Sequence, residues 1–284
     1  MPTYALLGAT GSTGSSVLRC LLSESPSDLK LNLLVRSKTK LLAAFPNLED
    51  IDFLKIRIFE GDSTDSLSLK ACLADVSLVF MCIGQNESKL GSRLCYNTVS
   101  SIINALTVIR AEQFKTFATP TILQLRSASL NPVLARQAPY LVRKIVSFCL
   151  HYHYEDLRRA CALYEAAEKD GLAEYILVDP PTIHDPRGTQ KTGHQLILTE
   201  KQTTTLNYAD LGAAMCEIAR RENEFRGLAV GVTALGKVRE TWSILVGFLV
   251  NGGKNRVIGF VEEDPLTVLL NSGKWSIFDY FAVA

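Results

Sequence analysis

An α/β fold, a doubly wound parallel sheet with a small C-terminal extension, is predicted by three observations. Short apolar runs alternate with longer stretches of helical periodicity, the pattern of β-α-β units joined by right-handed crossovers. A glycine-spaced loop lies between the first apolar run and the first helical stretch. One run, Leu78–Ile83, is apolar throughout, as a strand buried on both faces must be.

The elements follow in order. Tyr4–Leu7 reads as the first strand, and Ser15–Leu22 as a helix with Val17, Leu18, Leu21 and Leu22 on one face. Leu31–Val35 is a second strand and Ile56–Phe59 a third, closing on Glu60-Gly61-Asp62. Leu67–Leu73 has helical spacing, Leu78–Ile83 is the fourth strand, and Tyr96–Ala111 is helical. Thr121–Leu125 and Tyr175–Val178 are later strands. Asp185–His194, rich in Gly, Thr and basic residues, reads equally as a loop over a cleft or a plain surface loop. No repeat or low-complexity segment interrupts the pattern.

At 284 residues, 47% of them hydrophobic, the chain can bury one substantial core. With 30 Lys and Arg against 29 Asp and Glu, it has neither a basic stripe for nucleic acid nor an acidic tail. Its seven cysteines, at positions 20, 72, 82, 95, 149, 161 and 216, include no C-x-x-C and fall mostly in apolar runs. That usage suits reduced, buried thiols better than a disulfide framework. Met1-Pro2-Thr3-Tyr4 leads straight into a strand without a secretory pattern. The longest apolar run, Ile244–Val250, is far below the roughly 18–20 residues of a membrane span. A soluble cytoplasmic protein with no nucleic-acid or membrane partner is the expectation.

Gly8-Ala9-Thr10-Gly11-Ser12-Thr13-Gly14 spaces its glycines as G-x-x-G-x-x-G between a strand and a helix. One glycine permits the tight turn, the next lets backbone approach a pyrophosphate, and the last lets helix pack on strand. The helix N-terminus then presents free N–H groups and a positive dipole end. Thr10, Ser12 and Thr13 add hydroxyl donors. This predicts a Rossmann-like NAD(P)-binding domain spanning 1–284, with roughly 1–180 as the nucleotide unit and the substrate side mainly within 181–284.

An NAD site usually places an acid about 20 residues beyond the motif, for the ribose hydroxyls. Here the second strand ends in Arg36, with Lys38 and Lys40 behind it. Cations there suit a 2′-phosphate, so NADP(H) is expected over NAD(H). Asp62 and Ser63, after the third strand, fall where an adenine contact would. Gly84-Gln85-Asn86, after the fourth, would let backbone pass close to a cofactor.

These features resemble the atypical short-chain dehydrogenase/reductases of the NmrA-like group. Tyr4-Ala5-Leu6-Leu7-Gly8-Ala9-Thr10-Gly11 is similar to the start of fungal oxidoreductases of anthraquinone and aflatoxin/sterigmatocystin-type pathways, a group that includes the averufin oxidases. Tyr154-Glu155-Asp156-Leu157, Asp179-Pro180-Pro181-Thr182-Ile183-His184-Asp185, Gly193-His194-Gln195-Leu196 and Tyr208-Ala209-Asp210-Leu211 extend the resemblance over roughly residues 1–250. The tail from Gly252 carries no matching motif.

The resemblance implies a catalytic Tyr, a Lys four residues on, and a Ser after the fifth strand. Two placements fit. Tyr140-x-x-x-Lys144 matches literally, with Ser127 upstream, although Pro139 and the apolar Ile145–Leu150 also suit a packed helix. Tyr154 is better placed relative to Asp179-Pro180 but has Arg158 where Lys belongs. Arg stays charged and cannot tune a phenol as Lys does, and Asp156 on the same turn could serve as base. His151-x-His153 with Glu155 and Asp156 is a poor metal set, because alternate helix residues point apart. His184, Asp185 and His194 could meet phenolic or quinone oxygens. Tyr208 and Asp210 suit a helix start, with Asp210 as N-cap. The resemblance implies NADP(H)-dependent oxidation or reduction of a small aromatic polyketide of anthraquinone or xanthone type. The alternatives are a non-catalytic NADP sensor that regulates a partner, or a non-redox isomerase or cyclase on the same fold.

Overall fold

The computed structural model describes residues 2–24, 29–51, 55–85, 87–185 and 187–263. The chain runs β1 (Thr3–Leu7), α1 (Ser12–Glu24), β2 (Lys30–Val35), α2 (Lys38–Ala44), β3 (Lys55–Glu60), α3 (Ser66–Leu73), β4 (Leu78–Met81) and α4 (Leu94–Glu112). It continues with β5 (Thr121–Leu125), α5 (Tyr140–Cys149), α6 (His151–Lys169), β6 (Glu174–Asp179), β7 (Thr182–His184), β8 (His194–Ile197) and β9 (Thr205–Asn207). The last elements are α7 (Tyr208–Arg220), α8 (Glu222–Phe225), β10 (Ala229–Ala234) and α9 (Trp242–Glu263).

The main sheet has the order β3-β2-β1-β4-β5-β6-β10-β8, and β7 pairs with β9 in a separate two-stranded ribbon. Every neighbouring pair in the main sheet is parallel except β10 with β8. The doubly wound parallel sheet that the sequence predicts is present, with β8 added antiparallel at its edge. No crossover helix separates β6 from β8, so the chain is not carried back to the starting end and enters antiparallel.

Position in the sheet accounts for strand composition. Central β4 is Leu-Val-Phe-Met and wholly buried, whereas β3 forms the opposite edge and carries Lys55, Arg57 and Glu60, charges that discourage pairing with another chain. On one face, Val17, Leu18 and Leu21 of α1 pack with Leu211, Met215 and Ile218 of α7. On the other, Leu69 of α3, Val99 and Ile102 of α4 and Leu157 and Tyr164 of α6 form a second core. The α1 and α7 backbones come close: a Cβ at Gly212 would lie 2.5 Å from the Ser16 carbonyl carbon.

Helix ends explain several polar residues. Asp65 caps α3 by accepting the Leu67 and Ser68 N–H groups. The α7 cap is Asn207, not Asp210 as the sequence suggests; Asn207 Oδ1 accepts the Asp210 N–H at 2.6 Å. Asp210 instead turns its buried carboxylate to the preceding loop. It accepts both the Thr192 and Gly193 N–H groups and the Thr192 hydroxyl, which anchors the chain as it enters β8. Helix α5 contributes no buried residue of its own and lies against α9. Among the described residues, no helix is long and apolar enough to cross a membrane.

Candidate active site

The strand order reverses at β1 and β4, whose following helices α1 and α4 lie on opposite faces. That opens a crevice beyond the carboxyl ends of these two strands. The glycine loop occupies it, and its three glycines differ. Gly8 has φ 91°, and a Cβ there would lie 2.9 Å from the Cys82 carbonyl oxygen beyond β4. A Cβ on Gly14 would lie 2.1 Å from the Gly8 oxygen. Packing within the protein therefore requires both. Gly11 is exposed, and its Cβ would meet nothing nearer than 3.4 Å. Its bareness serves an approach from outside, at the start of a helix with no acid in its first turn. The residues thus fit a dinucleotide pyrophosphate, held by the α1 N-terminus with Thr10, Ser12 and Thr13 at its margin.

Arg36 is exposed just beyond β2, and Lys40 is exposed on the first turn of α2. Lys38 is engaged with Glu49 at 2.7 Å. Asp62 is exposed after β3 and accepts the Thr64 N–H and hydroxyl at 3.0 and 2.9 Å. Those bonds, with a smaller contribution from Arg36, hold its carboxyl below the usual range. The Ser63 hydroxyl is buried against that of Thr98 at 3.0 Å, so it ties the loop after β3 to α4. Beyond β4, the Gln85 Nε2 is buried with no partner among the described residues. Asn86 lies outside the described residues.

The structure brings Ser127 and Tyr154 together. Ser127 follows β5 at the head of a short turn, and Tyr154 lies in the first turns of α6 with its side chain 4% exposed. Their hydroxyl oxygens are 3.5 Å apart. Burial pushes the Tyr154 phenol up from its ordinary value, against smaller downward pulls from Ser127, Ser129 and Arg158. Arg158 reaches outward to Glu155 at 2.8 Å. Asp156 is fully buried and accepts the Cys95 and Tyr96 N–H groups, both at 2.9 Å. It neutralises the α4 N-terminus from another helix and is not positioned as a base. Tyr140 stands apart, 66% exposed on α5. Lys144 does share its face, but with Nζ 5.4 Å from the ring centroid.

Sequence reasoning gave no role to Arg126 or Asn131, yet both shape the site. Arg126 Nε and Nη2 donate to the two Asp179 carboxylate oxygens at 2.7 and 2.6 Å, and Asn131 Nδ2 donates to Asp179 at 2.9 Å. Asp179 is 0% exposed. Burial pushes its carboxyl up while Arg126 and Asn131 oppose that, and the two short guanidinium bonds hold the ionised form. The pair clamps the ends of β5 and β6 on either side of Ser127. The available signal was an Arg beside the Ser and an Asp closing the next strand, both at strand ends.

Of the histidines, His194 pairs with Glu217 at 3.0 Å. His151 meets the Tyr152 ring and His153 the Tyr154 ring. Burial lowers the His153 pKa. Among the described residues, no group of three His, Cys, Asp or Glu side chains is placed to hold a metal. All seven cysteines are unbridged, and burial pushes the Cys72, Cys82 and Cys95 thiols up to about 12.

Residues 8–222 match the NAD(P)H-binding family. Averufin oxidase A of Aspergillus flavus is 55% identical, covering 94% of both chains. Averufin oxidase stcO of Emericella nidulans is 57% identical over 89% of each. Among solved structures, a wide-type short-chain dehydrogenase/reductase from Veillonella parvula in complex with NADP superposes with TM-score 0.60. It is 19% identical, and the match covers 83% of this chain and 95% of that one.

Proposed function

The chain belongs to the NAD(P)H-binding family as a Rossmann-type NAD(P)-dependent oxidoreductase, and on that premise we propose that it acts on an averufin-type hydroxyanthraquinone. The reaction would lie in a fungal polyketide pathway of the aflatoxin/sterigmatocystin kind. The observation that carries this reading is identity of 53–57% to averufin oxidases over about nine-tenths of the chain.

The exposed Arg36, with Lys40 beside it, favours the 2′-phosphate of NADP(H). The glycine loop and α1 N-terminus hold the pyrophosphate. A bound nicotinamide supplies or accepts the hydride. Ser127 and Tyr154 orient the substrate oxygen between their hydroxyls, and the Tyr154 phenol exchanges the proton there. The phenol is protonated near neutrality at its ordinary value, and burial raises that value further, so it serves as a hydrogen-bond donor and, in the reducing direction, gives up its proton only as charge develops on the substrate oxygen.

The test is NADPH binding by fluorescence, followed by the reduced-nicotinamide absorbance on adding averufin and related hydroxyanthraquinones. A change in nicotinamide absorbance that depends on the quinone is expected. Tight NADPH binding with no turnover on the whole panel would turn the reading toward a sensor. The absence of a Lys beside Tyr154 favours that second reading. Product formed without nicotinamide would indicate an isomerase or cyclase.

A further inference from the structure

His184 closes β7, shortly beyond Pro180, whose carbonyl accepts the Ala128 N–H at 3.0 Å. That bond sets the β6–β7 connection beside the turn carrying Ser127. The His184 side chain is 1% exposed. Its Nδ1 accepts the backbone N–H of Thr241 at 2.9 Å. A neutral imidazole that accepts at Nδ1 carries its proton on Nε2. Nε2 is buried with no partner among the described residues, so the ring presents a donor with nothing to receive it. Buried donors are nearly always paired, and an orphan calls for an explanation such as a missing ligand.

Two neighbouring features support a ligand. Asp185 is a non-glycine residue held at φ 54°, and such strain concentrates at binding sites. Its N–H donates to the Thr241 hydroxyl at 3.2 Å, so Thr241 grips the chain on both sides of the His184 ring. Trp242, 46% exposed, meets the imidazole edge-on at 5.0 Å. A single N–H donor beside an aromatic surface suits a flat, oxygen-bearing ring system.

We propose that His184 Nε2–H is a recognition donor for a carbonyl or phenolic oxygen of the aromatic substrate, with Trp242 as an apolar contact for its rings. This deepens the functional reading above and rests on it. Gln85 Nε2 and His153 Nδ1 are also unpartnered, but both residues are only half-buried.

Two substitutions separate the ring nitrogens. In His184→Asn, the side-chain oxygen takes the place of Nδ1 and can still accept from Thr241. In His184→Gln, the side-chain amide reaches the place of Nε2 and can still donate. The measurement is binding of averufin to the full chain loaded with NADP+, by visible absorbance, alongside thermal melting and NADPH affinity. H184N is expected to melt with the wild type, bind NADPH equally and lose about tenfold in averufin affinity, the size of one hydrogen bond. H184Q is expected to melt lower but keep averufin affinity within about threefold.

Unchanged averufin binding in H184N would overturn the contact and leave His184 only as a holder of Thr241. If H184N does not fold, H184Q decides alone: a folded H184Q that has lost averufin binding overturns the proposal. Wild-type protein that binds averufin without turning it over would sink the substrate's oxidation or reduction but not the contact. Wild-type protein that does not bind averufin would overturn both.

Discussion

Tyr154 and Tyr140 show how little side-chain identity says without its surroundings. Both are tyrosines near a helix start with a cation four residues on. Tyr154 is buried beside the Ser127 hydroxyl, while Tyr140 faces solvent. Tyr154→Phe should lower kcat by about 10²–10⁴, the usual worth of a positioned proton donor. Tyr140→Phe should leave kcat within about threefold, as exposed substitutions generally do. Steady-state assays on the two variants check this, and a large loss in Tyr140→Phe would move the site to α5. Arg36 yields a second test. Arg36→Ala should weaken NADPH about ten- to a hundredfold, the range for charge-assisted hydrogen bonds, and leave NADH nearly unchanged. Equal losses for both dinucleotides would show that Arg36 does not read the 2′-phosphate.

Among the elements, α3 offers a pH test. The Ser68 hydroxyl and the Ser68 and Leu67 N–H groups hold the Asp65 carboxyl below its ordinary value. A depressed carboxylate stabilises the fold above its ordinary value and loses that contribution as pH falls through the lowered one. Asp65→Asn still caps the helix, since Asn caps about as well as Asp, but it cannot titrate. It should melt close to wild type at neutral pH and show a shallower loss of stability below about pH 4. An unchanged acid limb in melts from pH 6 to pH 2 would remove Asp65 from the account. The glycine loop and the central strands were legible in the sequence because their signals are local: fixed glycine spacing and unbroken apolar runs. The Asp156 cap on α4 and the Arg126–Asp179 clamp were not, because each joins residues more than 50 positions apart. The Tyr140–Lys144 spacing did report a shared helix face. Spacing cannot say which way that face looks, and α5 turns Tyr140 outward because it rests on α9. Likewise, Asn207 and Asp210 can both cap a helix, and only the loop at Thr192 and Gly193 decides between them.

For the whole molecule, the cofactor crevice joins β1, β4 and α1, so ligand bound there opposes global unfolding. NADPH at a hundred times its Kd should add about 2.7 kcal/mol, and for a chain of this size that is a rise in Tm of roughly 4–5 °C. NADH at the same concentration should raise it less, and equal shifts in scanning calorimetry would contradict the preference for NADP(H).

The close approach of α1 to α7 at Gly212 has a consequence for biosynthesis. The helix that carries the phosphate loop is synthesised nearly 200 residues before the apolar face that covers it, which comes from residues 208–220. At ordinary translation rates, α1 waits on the order of 10–40 s for that cover. During this interval Val17, Leu18 and Leu21 have no final packing partner on that side. A fragment ending near residue 180 would keep most of the parallel strands and the whole glycine motif but leave this face bare. We therefore predict that the nucleotide half of the chain does not fold as an autonomous module, and that nascent chains stalled before α7 are clients of chaperones.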